Sequence, residues 1–258
     1  MKASTRRKSK PREKQRPKVD WFPEELEAFK PPERYTVSEW ADRYRVLTNI
    51  SAEPGRWRTA RTPYLKELMD KFTDPLIESI SLCFGAQIGK TEAELNMIGY
   101  ALHQTASPVM MVYPTDTIAK FASDKRVQPM IRSVEPLANM YDEGSKLLEL
   151  DFVNGNYMVL VGANSPSSLS SRSIKYLFFD EIDKYPAFSG KEANPIKLAE
   201  ERTKTFVDKK IVRVSTPTIE SGNIWQSYMD ANERKQYYVP CPHCGVSQTL
   251  KFKQIKWP

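Results

Sequence analysis

Three stretches of this 258-residue chain carry residue types and spacings suited to phosphate chemistry. The first runs from Ser79 to Glu92. Ile80, Leu82 and Phe84 alternate with smaller residues, as in a short buried strand. Gly85, Ala86, Gln87, Ile88 and Gly89 follow as a turn of little bulk. Lys90 and Thr91 then open a helical pattern continued by Ala93, Leu95, Met97, Ile98 and Ala101. In such a strand, loop and helix, backbone N–H groups and the helix N-terminus face phosphates. Lys90 would reach the β- and γ-phosphates of ATP, and the Thr91 hydroxyl would hold Mg²⁺. The strict spacing puts its first glycine where Phe84 stands, so that glycine is displaced to Gly85. A plain strand-to-helix turn with a chance Gly-Lys-Thr is the alternative.

The second stretch is the apolar run from Ile174 to Phe179, closing on Asp180 and Glu181. At such a strand end the aspartate holds Mg²⁺. The glutamate polarises the attacking water as a general base. Two acids can also end a strand merely for solubility, but the phosphate-loop pattern upstream favours the catalytic reading. The third stretch, from Lys210 to Val214, ends in Ser215, Thr216, Pro217 and Thr218. Hydroxyls at the C-terminal end of a central strand lie where open α/β sheets bind ligands, and there they can sense the γ-phosphate.

The elements that must position these residues alternate between strand and helix. Residues 108–113 are a continuous apolar run, as in a parallel strand buried on both faces. Pro114, Thr115 and Asp116 lead into a helix over about 117–132. Residues 147–153 and 157–161 read as a hairpin around Asn154 and Gly155. A small, polar loop spans 162–173, and a helix covers about 192–206. The pattern predicts an α/β fold, a P-loop NTPase with a mostly parallel central sheet flanked by helices. Four segments are expected: a disordered basic tail at 1–19, a helical and loop adapter at 20–78, the nucleotide-binding core at 79–235, and a knuckle-like start of a linker at 236–258.

Within the adapter, residues 37–47 read as an amphipathic helix with Ser38 as N-cap. The loop from Gly55 to Tyr64 alternates cations with aromatics. Arg58, Arg61 and Tyr64 would stack on a nucleotide base or hold DNA. The competing reading is a surface loop anchored by Trp57.

Composition narrows the class. With 40% hydrophobic residues the chain can bury a substantial core, and no apolar run approaches a membrane span. The basic N-terminus lacks the apolar segment of a secretory signal. The net charge of +7 is localised: residues 1–19 hold nine Lys/Arg and one acid, so the remainder carries −1. Such a tail suits sequence-independent contact with nucleic acid or another acidic partner, and a merely solubilising tail is the equal alternative. Three cysteines make no disulfide framework and point to a reducing compartment. Cys241 and Cys244 have the spacing of half a zinc knuckle, and a tetrahedral Zn²⁺ site needs four ligands. The expectation is an incomplete site or none.

Taken in order, these motifs resemble one family. The series is Gly-Arg-Trp-Arg from Gly55, Arg-Thr-Pro-Tyr from Arg61, Gly-Ala-Gln-Ile-Gly-Lys-Thr-Glu from Gly85 and Tyr-Pro-Thr-Asp from Tyr113. It continues with Gly-Ala-Asn-Ser-Pro from Gly162, Tyr-Leu-Phe-Phe-Asp-Glu-Ile-Asp from Tyr176, Val-Ser-Thr-Pro-Thr from Val214 and Val-Pro-Cys-Pro-His-Cys-Gly from Val239. Over about residues 35–258 it resembles the large terminase subunit of tailed phages, GpA-like branch. The resemblance implies an ATP-driven motor that moves double-stranded DNA into a procapsid. It also implies a ring-forming homo-oligomer, a terminase small subunit and a portal as partners, and action in the host cytoplasm without a membrane.

Family members carry a nuclease domain after the ATPase. This sequence stops where that domain would begin, so nuclease activity is not expected here. By position, Lys90 and Thr91 resemble the phosphate-loop pair, and Asp180 and Glu181 the magnesium and catalytic carboxylates. Ser215, Thr216 and Pro217 resemble the motif coupling hydrolysis to movement. Many members place an arginine in the phosphate loop, where this chain has Ala86. Arg172, in the polar loop before the Asp180 strand, is the expected replacement, reaching a neighbour's site in the ring. Arg202 and Arg213 stand next in line. A helicase-like DNA-dependent ATPase and a non-catalytic nucleic-acid-binding module are the alternatives.

Overall fold

The computed structural model describes residues 21–28, 33–188 and 194–251. The predicted tail at 1–19 lies outside them, as does the end of the chain from residue 252. The chain divides into two units, Met1–Arg34 and Tyr35–Pro258. This differs from the expected boundaries after residues 19 and 78. In the first unit the helix Pro23–Ala28 is held at its start by the Phe22 N–H donating to Glu25 Oε2 at 2.9 Å.

The second unit is built on a six-stranded sheet. Its strands are β1 (Ser79–Cys83), β2 (Val109–Tyr113), β3 (Glu149–Asp151), β4 (Tyr157–Gly162), β5 (Tyr176–Asp180) and β6 (Lys210–Ser215). Their order across the sheet is β1-β6-β5-β2-β4-β3. All neighbours are parallel except β3, which returns antiparallel along β4 as the predicted hairpin. The mostly parallel sheet flanked by helices is thus observed, with β6 inserted between β1 and β5. The pairings Cys83 with Ser215 and Asp180 with Val214 bring the three chemistry-bearing strand ends to the same edge.

Both faces of the sheet are covered, which explains the continuous apolar runs. In β5, Phe178 faces one core with Leu82, Met111 and Val212, while Leu177 and Phe179 face the other with Val112 and Ile211. The first core includes Val37, Trp40, Trp57, Leu65, Met69 and Phe72. Residues 35–78 therefore contribute to this core. Trp40 is fully buried and its Nε1 donates to His103 Nδ1 at 2.9 Å. It packs so closely on the helix Lys90–Tyr100 that a Cβ on Gly99 would overlap its ring. Trimming such a core aromatic to alanine costs about 3–5 kcal/mol.

Local details depart from the expected boundaries. The helix predicted at 37–47 runs Val37–Tyr44, and its N-cap is Thr36, closed by a reciprocal box with Glu39. Ser38 is instead turned toward Asp70, donating through its N–H and its hydroxyl at 2.9 Å each. The helix predicted over 117–132 is two helices, Asp116–Ala122 and Gln128–Ser133, joined by a π-helical turn, Ser123–Val127. The helix predicted at 192–206 is described as Pro195–Glu201, with residues 192 and 193 outside the described set. A short helix, Pro166–Leu169, interrupts the predicted polar loop. Among the described residues no helix is long and apolar enough to cross a membrane.

Candidate active site

The loop leaving β1 is fixed by its backbone. The Phe84 N–H donates to Ser215 O at 3.2 Å, tying the loop to the end of β6. Gln87 and Gly89 have φ of 57° and 81°, in the left-handed region. At Gly89 the absence of a side chain relieves this conformation and also leaves room for Leu65, 3.1 Å from where a Cβ would sit. Gly85 has neither a positive φ nor a close neighbour, so the displaced first glycine is not required by the backbone. Successive left-handed turns aim N–H groups at one point, a cradle for an anion. Tyr64 braces the loop from outside, its hydroxyl donating to Ile88 O at 3.1 Å.

Lys90 is buried and bridges two strand ends. Its Nζ donates to Thr216 Oγ1 at 2.6 Å, with Gly85 O at 3.5 Å. Thr91 is half-buried on the first turn of the helix. Asp180, the last residue of β5, is almost fully buried, and its Oδ1 has no hydrogen-bond partner among the described residues. Burial pushes its carboxyl up to about 6, helped by the charge of Glu181 and opposed by Arg126 and Lys90. An orphaned, buried carboxylate oxygen at a strand end that feels the charge of Lys90 at the helix start is a hard oxygen donor of the kind that suits Mg²⁺. Glu181 follows with a left-handed φ of 52°, a strained conformation for a non-glycine residue that turns its side chain off the strand. Its carboxylate is half-exposed and accepts from Lys184 Nζ at 2.6 Å.

The residues after β6 touch the turn that follows Glu181. The Asp183 N–H approaches Ser215 Oγ at 3.4 Å, and Asp183 Oδ1 accepts from the Ile224 N–H at 2.7 Å. Ser215 and Thr216 therefore lie between the phosphate loop and the Glu181 turn.

The structure adds residues that the sequence reading passed over. Glu94, one helical turn beyond Lys90, is fully buried, and neither carboxylate oxygen has a partner among the described residues. Burial raises its carboxyl well above the usual range, and the charge of Asp180 pushes the same way. The available signal was a lone acid on the apolar side of an otherwise buried helix. Arg126, on the π-helical turn, lowers both Glu94 and Asp180 by its charge. Nothing in its own sequence neighbourhood marks it.

Other candidate residues lie elsewhere. Arg172 donates to Glu149 Oε1 at 2.8 Å and sits over the ring of Tyr157, at the β3 edge of the sheet. Tyr157 begins β4 while Asp180 ends β5, so Arg172 is not brought to the Asp180 end. Arg202 donates to Ser170 O at 3.2 Å, and Arg213 is bound to Glu200 and to Ser79 Oγ. Of the cation and aromatic loop, Trp57 is core, Arg61 pairs with Glu53 at 2.5 Å, and Arg58 is exposed. Tyr64 alone of the three reaches the phosphate loop. Cys241 and Cys244 sit on the turn between the paired strands Val239–Pro240 and Ser247–Gln248. Backbone N–H groups of Cys244 and His243 point at the Cys241 sulfur and lower its pKa. Among the described residues, no three His, Cys, Asp or Glu are gathered as a metal cluster.

Comparison with known proteins identifies the family and the fold. Residues 51–258 match the family described as phage terminase large subunit gpA, ATPase domain. The terminase large subunit of Enterobacteria phage P21 is 28% identical over 229 residues, covering 86% of this chain and 35% of that protein. That of Escherichia phage lambda is 26% identical over 235 residues, covering 88% and 36%. The chain thus spans about a third of the length of the curated relatives it matches. Among solved structures, the HK97 bacteriophage large terminase superposes with a TM-score of 0.59 at 12% identity, covering 75% of this chain and 40% of that one. A mutant of the Thermus phage P74-26 large terminase ATPase domain gives 0.50 at 19% identity, covering 68% and 73%. At these identities the structural likeness speaks to the fold. The family match covers most of the chain, and the chain belongs to the phage terminase large subunit gpA family, as its ATPase domain.

Proposed function

We propose that this chain hydrolyses ATP at the β1, β5 and β6 strand ends, and that the hydrolysis drives double-stranded DNA into a procapsid. The single observation that carries this reading is the convergence of Lys90, Thr216, Asp180 and Glu181 from three adjacent strand ends. The phosphate loop, Gly85 to Gly89, receives the phosphates on its N–H groups, and Lys90 contacts them once released from Thr216. Thr91 and Asp180 would hold Mg²⁺, which would supply charge neutralisation at the phosphate oxygens. Glu181 orients the attacking water and accepts its proton. Ser215, Thr216 and Pro217 couple the occupancy of Lys90 to the Asp183 turn.

Arg58, Arg61 and the tail at 1–19 are proposed to meet DNA phosphates, and Tyr64 to border the nucleotide. A small subunit, a portal and a ring of identical subunits complete the motor, acting in the host cytoplasm. Arg172, on the opposite edge of the sheet, serves a neighbour's site in that ring. Cys241 and Cys244 supply two thiolates to any Zn²⁺ site, with further ligands required from elsewhere.

Phosphate release from ATP by the purified chain, with and without double-stranded DNA, tests the reading. Hydrolysis that rises with duplex DNA is expected. Nucleotide binding without turnover, under both conditions, would overturn it in favour of a non-catalytic module.

A further inference from the structure

Most arginines of this unit are committed to a partner. Arg45 pairs with Glu92, Arg61 with Glu53, Arg132 with Glu143, Arg172 with Glu149 and Arg213 with Glu200. Arg202 is bound to Ser170 O. Arg126, like Arg58, is exposed, and among the described residues it has neither a hydrogen bond nor an ion pair. An unpaired guanidinium on a surface is ordinary, so its placement decides the matter.

That placement follows from the topology. Strand β2 lies beside β5, with Val112 opposite Phe179, so the chain leaving β2 emerges next to Asp180. The helix Asp116–Ala122 then runs into the π-helical turn Ser123–Val127, which carries Arg126. The turn is pinned from both sides. Ser123 Oγ donates to Leu147 O and accepts from Gln128 Nε2 at 3.2 Å, and Val127 is buried in the core. The following helix, Gln128–Ser133, packs on the helix Lys90–Tyr100, which bears Lys90, Thr91 and Glu94. A π turn widens a helix by one residue and re-aims the side chain it carries, and such turns recur at functional sites. Arg126 therefore lies between the β5 end and the phosphate-loop helix, within electrostatic reach of Asp180 and Glu94. Both carboxylates keep unpartnered oxygens, so the guanidinium stands near them without being spent on them.

We infer that Arg126 is the arginine this site presents to the γ-phosphate of its own bound nucleotide, in place of the one the phosphate loop lacks at Ala86. The inference rests on the ATPase reading above. In the hydrolysis step the water oxygen forms a bond to the γ-phosphorus, and the bond from that phosphorus to the β–γ bridging oxygen breaks. The bonding pair leaves with ADP, and the water proton passes to Glu181. Arg126 transfers nothing. It donates N–H groups to the equatorial γ-oxygens, where charge spreads during transfer, and a planar fork of donors suits that geometry. Its action is within one subunit, unlike that proposed for Arg172.

The test compares wild type, Arg126→Ala and Arg126→Lys, with ADP and with ADP plus fluoroaluminate as a mimic of the transferring phosphoryl group. Arg126→Ala should bind ADP within about threefold of wild type and keep its melting temperature, because the side chain is exposed and makes no hydrogen bond or ion pair among the described residues. It should lose the tightening that fluoroaluminate gives to ADP binding in the wild type, and lose turnover by roughly 10²–10³-fold. Added guanidinium ion should restore part of the turnover of Arg126→Ala, an effect a structural role would not produce. Arg126→Lys should fall between the two. Mixing Arg126→Ala with Glu181→Gln subunits should recover no activity, because every site then lacks one of two residues needed in the same subunit. Undiminished turnover or undiminished fluoroaluminate binding in Arg126→Ala would overturn the inference, as would recovery in the mixture. If wild type hydrolyses ATP and Arg126→Ala does so equally, the inference fails alone. If wild type does not hydrolyse ATP, the proposed function fails and takes the inference with it.

Discussion

Lys90 Nζ is hydrogen-bonded to Thr216 Oγ1 at 2.6 Å, joining the helix after β1 to the residue after β6. The two are 126 positions apart in the chain. The lysine that would meet the phosphates is thus already engaged by the loop that also reaches Asp183 through Ser215. If a triphosphate binds as proposed, Lys90 must share or leave this bond, and β6 would be informed of occupancy by a single donor. On the proposed reading, the exchange of this one ammonium between Thr216 and a phosphate would couple occupancy to the end of β6.

Thr216→Val removes the acceptor while keeping the shape. Nucleotide affinity should stay within a few-fold of wild type, because the ammonium then competes with one weak contact at Gly85 O. DNA-stimulated turnover should fall about tenfold or more, as the signal to the Asp183 turn is lost. Titration with a non-hydrolysable analogue, set beside steady-state rates with and without DNA, separates the two. Equal stimulation in the variant and the wild type would remove Thr216 from the coupling route.

Lys90 and Glu181 should fail differently. On the proposed reading Lys90 meets the ground-state phosphates with a charge-assisted hydrogen bond worth about 1.5–3 kcal/mol, so Lys90→Ala should weaken ATP binding roughly 10–100-fold. On the same reading Glu181 would act on the water, so Glu181→Gln should bind ATP normally and lose turnover by about 10²–10⁴-fold. Equilibrium binding and single-turnover measurements check both. A Glu181→Gln protein that turns over at the wild-type rate rules out Glu181 as the base.

Glu94 makes stability depend on pH. In the native state burial keeps its carboxyl protonated well above the ordinary value of 4.5, Asp180 adding to the effect and Arg126 and Lys90 opposing it. In the unfolded chain it ionises near that ordinary value. Above it the native state holds the extra proton, so stability falls as pH rises, by up to about 1.4 kcal/mol per unit, until the native carboxyl ionises as well. Glu94→Gln cannot ionise. Its melting temperature should exceed that of wild type at pH 8, with the gap closing toward pH 4.5. Thermal melts across this range showing a constant gap, or a less stable variant at pH 8, would contradict the assignment.

Arg172 is held by Glu149 at the β3 edge of its own subunit, so any catalytic part it plays belongs to a neighbour. Arg172→Ala and Glu181→Gln should each be inactive in DNA-stimulated hydrolysis, and a mixture should regain a fraction of wild-type activity. Each mixed interface can pair an intact Glu181 with an intact Arg172. Full activity of Arg172→Ala by itself would end the trans role. The same mixing protocol with Arg126→Ala is expected to recover nothing, which distinguishes the two arginines.

What the sequence by itself determined was local. The alternation at Ile80, Leu82 and Phe84, the Gly89-Lys90-Thr91 turn and the apolar run closing on Asp180-Glu181 are short-range patterns. Each of them fixes one strand or one helix start, because period and turn chemistry act over a few residues. The doubly buried strands were legible for the same reason. The hairpin at Asn154-Gly155 also kept its place, since its turn is set by adjacent residues.

Only the tertiary structure decided which ends meet. Placing β6 between β1 and β5 brings Thr216 to Lys90, and nothing in either segment encodes that neighbour. Thr36 displaced Ser38 as N-cap because Asp70, far along the chain, claims both Ser38 donors. Arg172 and Arg126 are indistinguishable as letters in polar, surface-facing stretches. Their difference lies in a partner carboxylate at Glu149 for one and in proximity to Asp180 and Glu94 for the other. A charged side chain takes its role from groups distant in sequence, because Coulomb interactions and desolvation depend on spatial neighbours. Glu94 illustrates the same point: an acid reads as solvent-facing until packing on both sides removes the solvent.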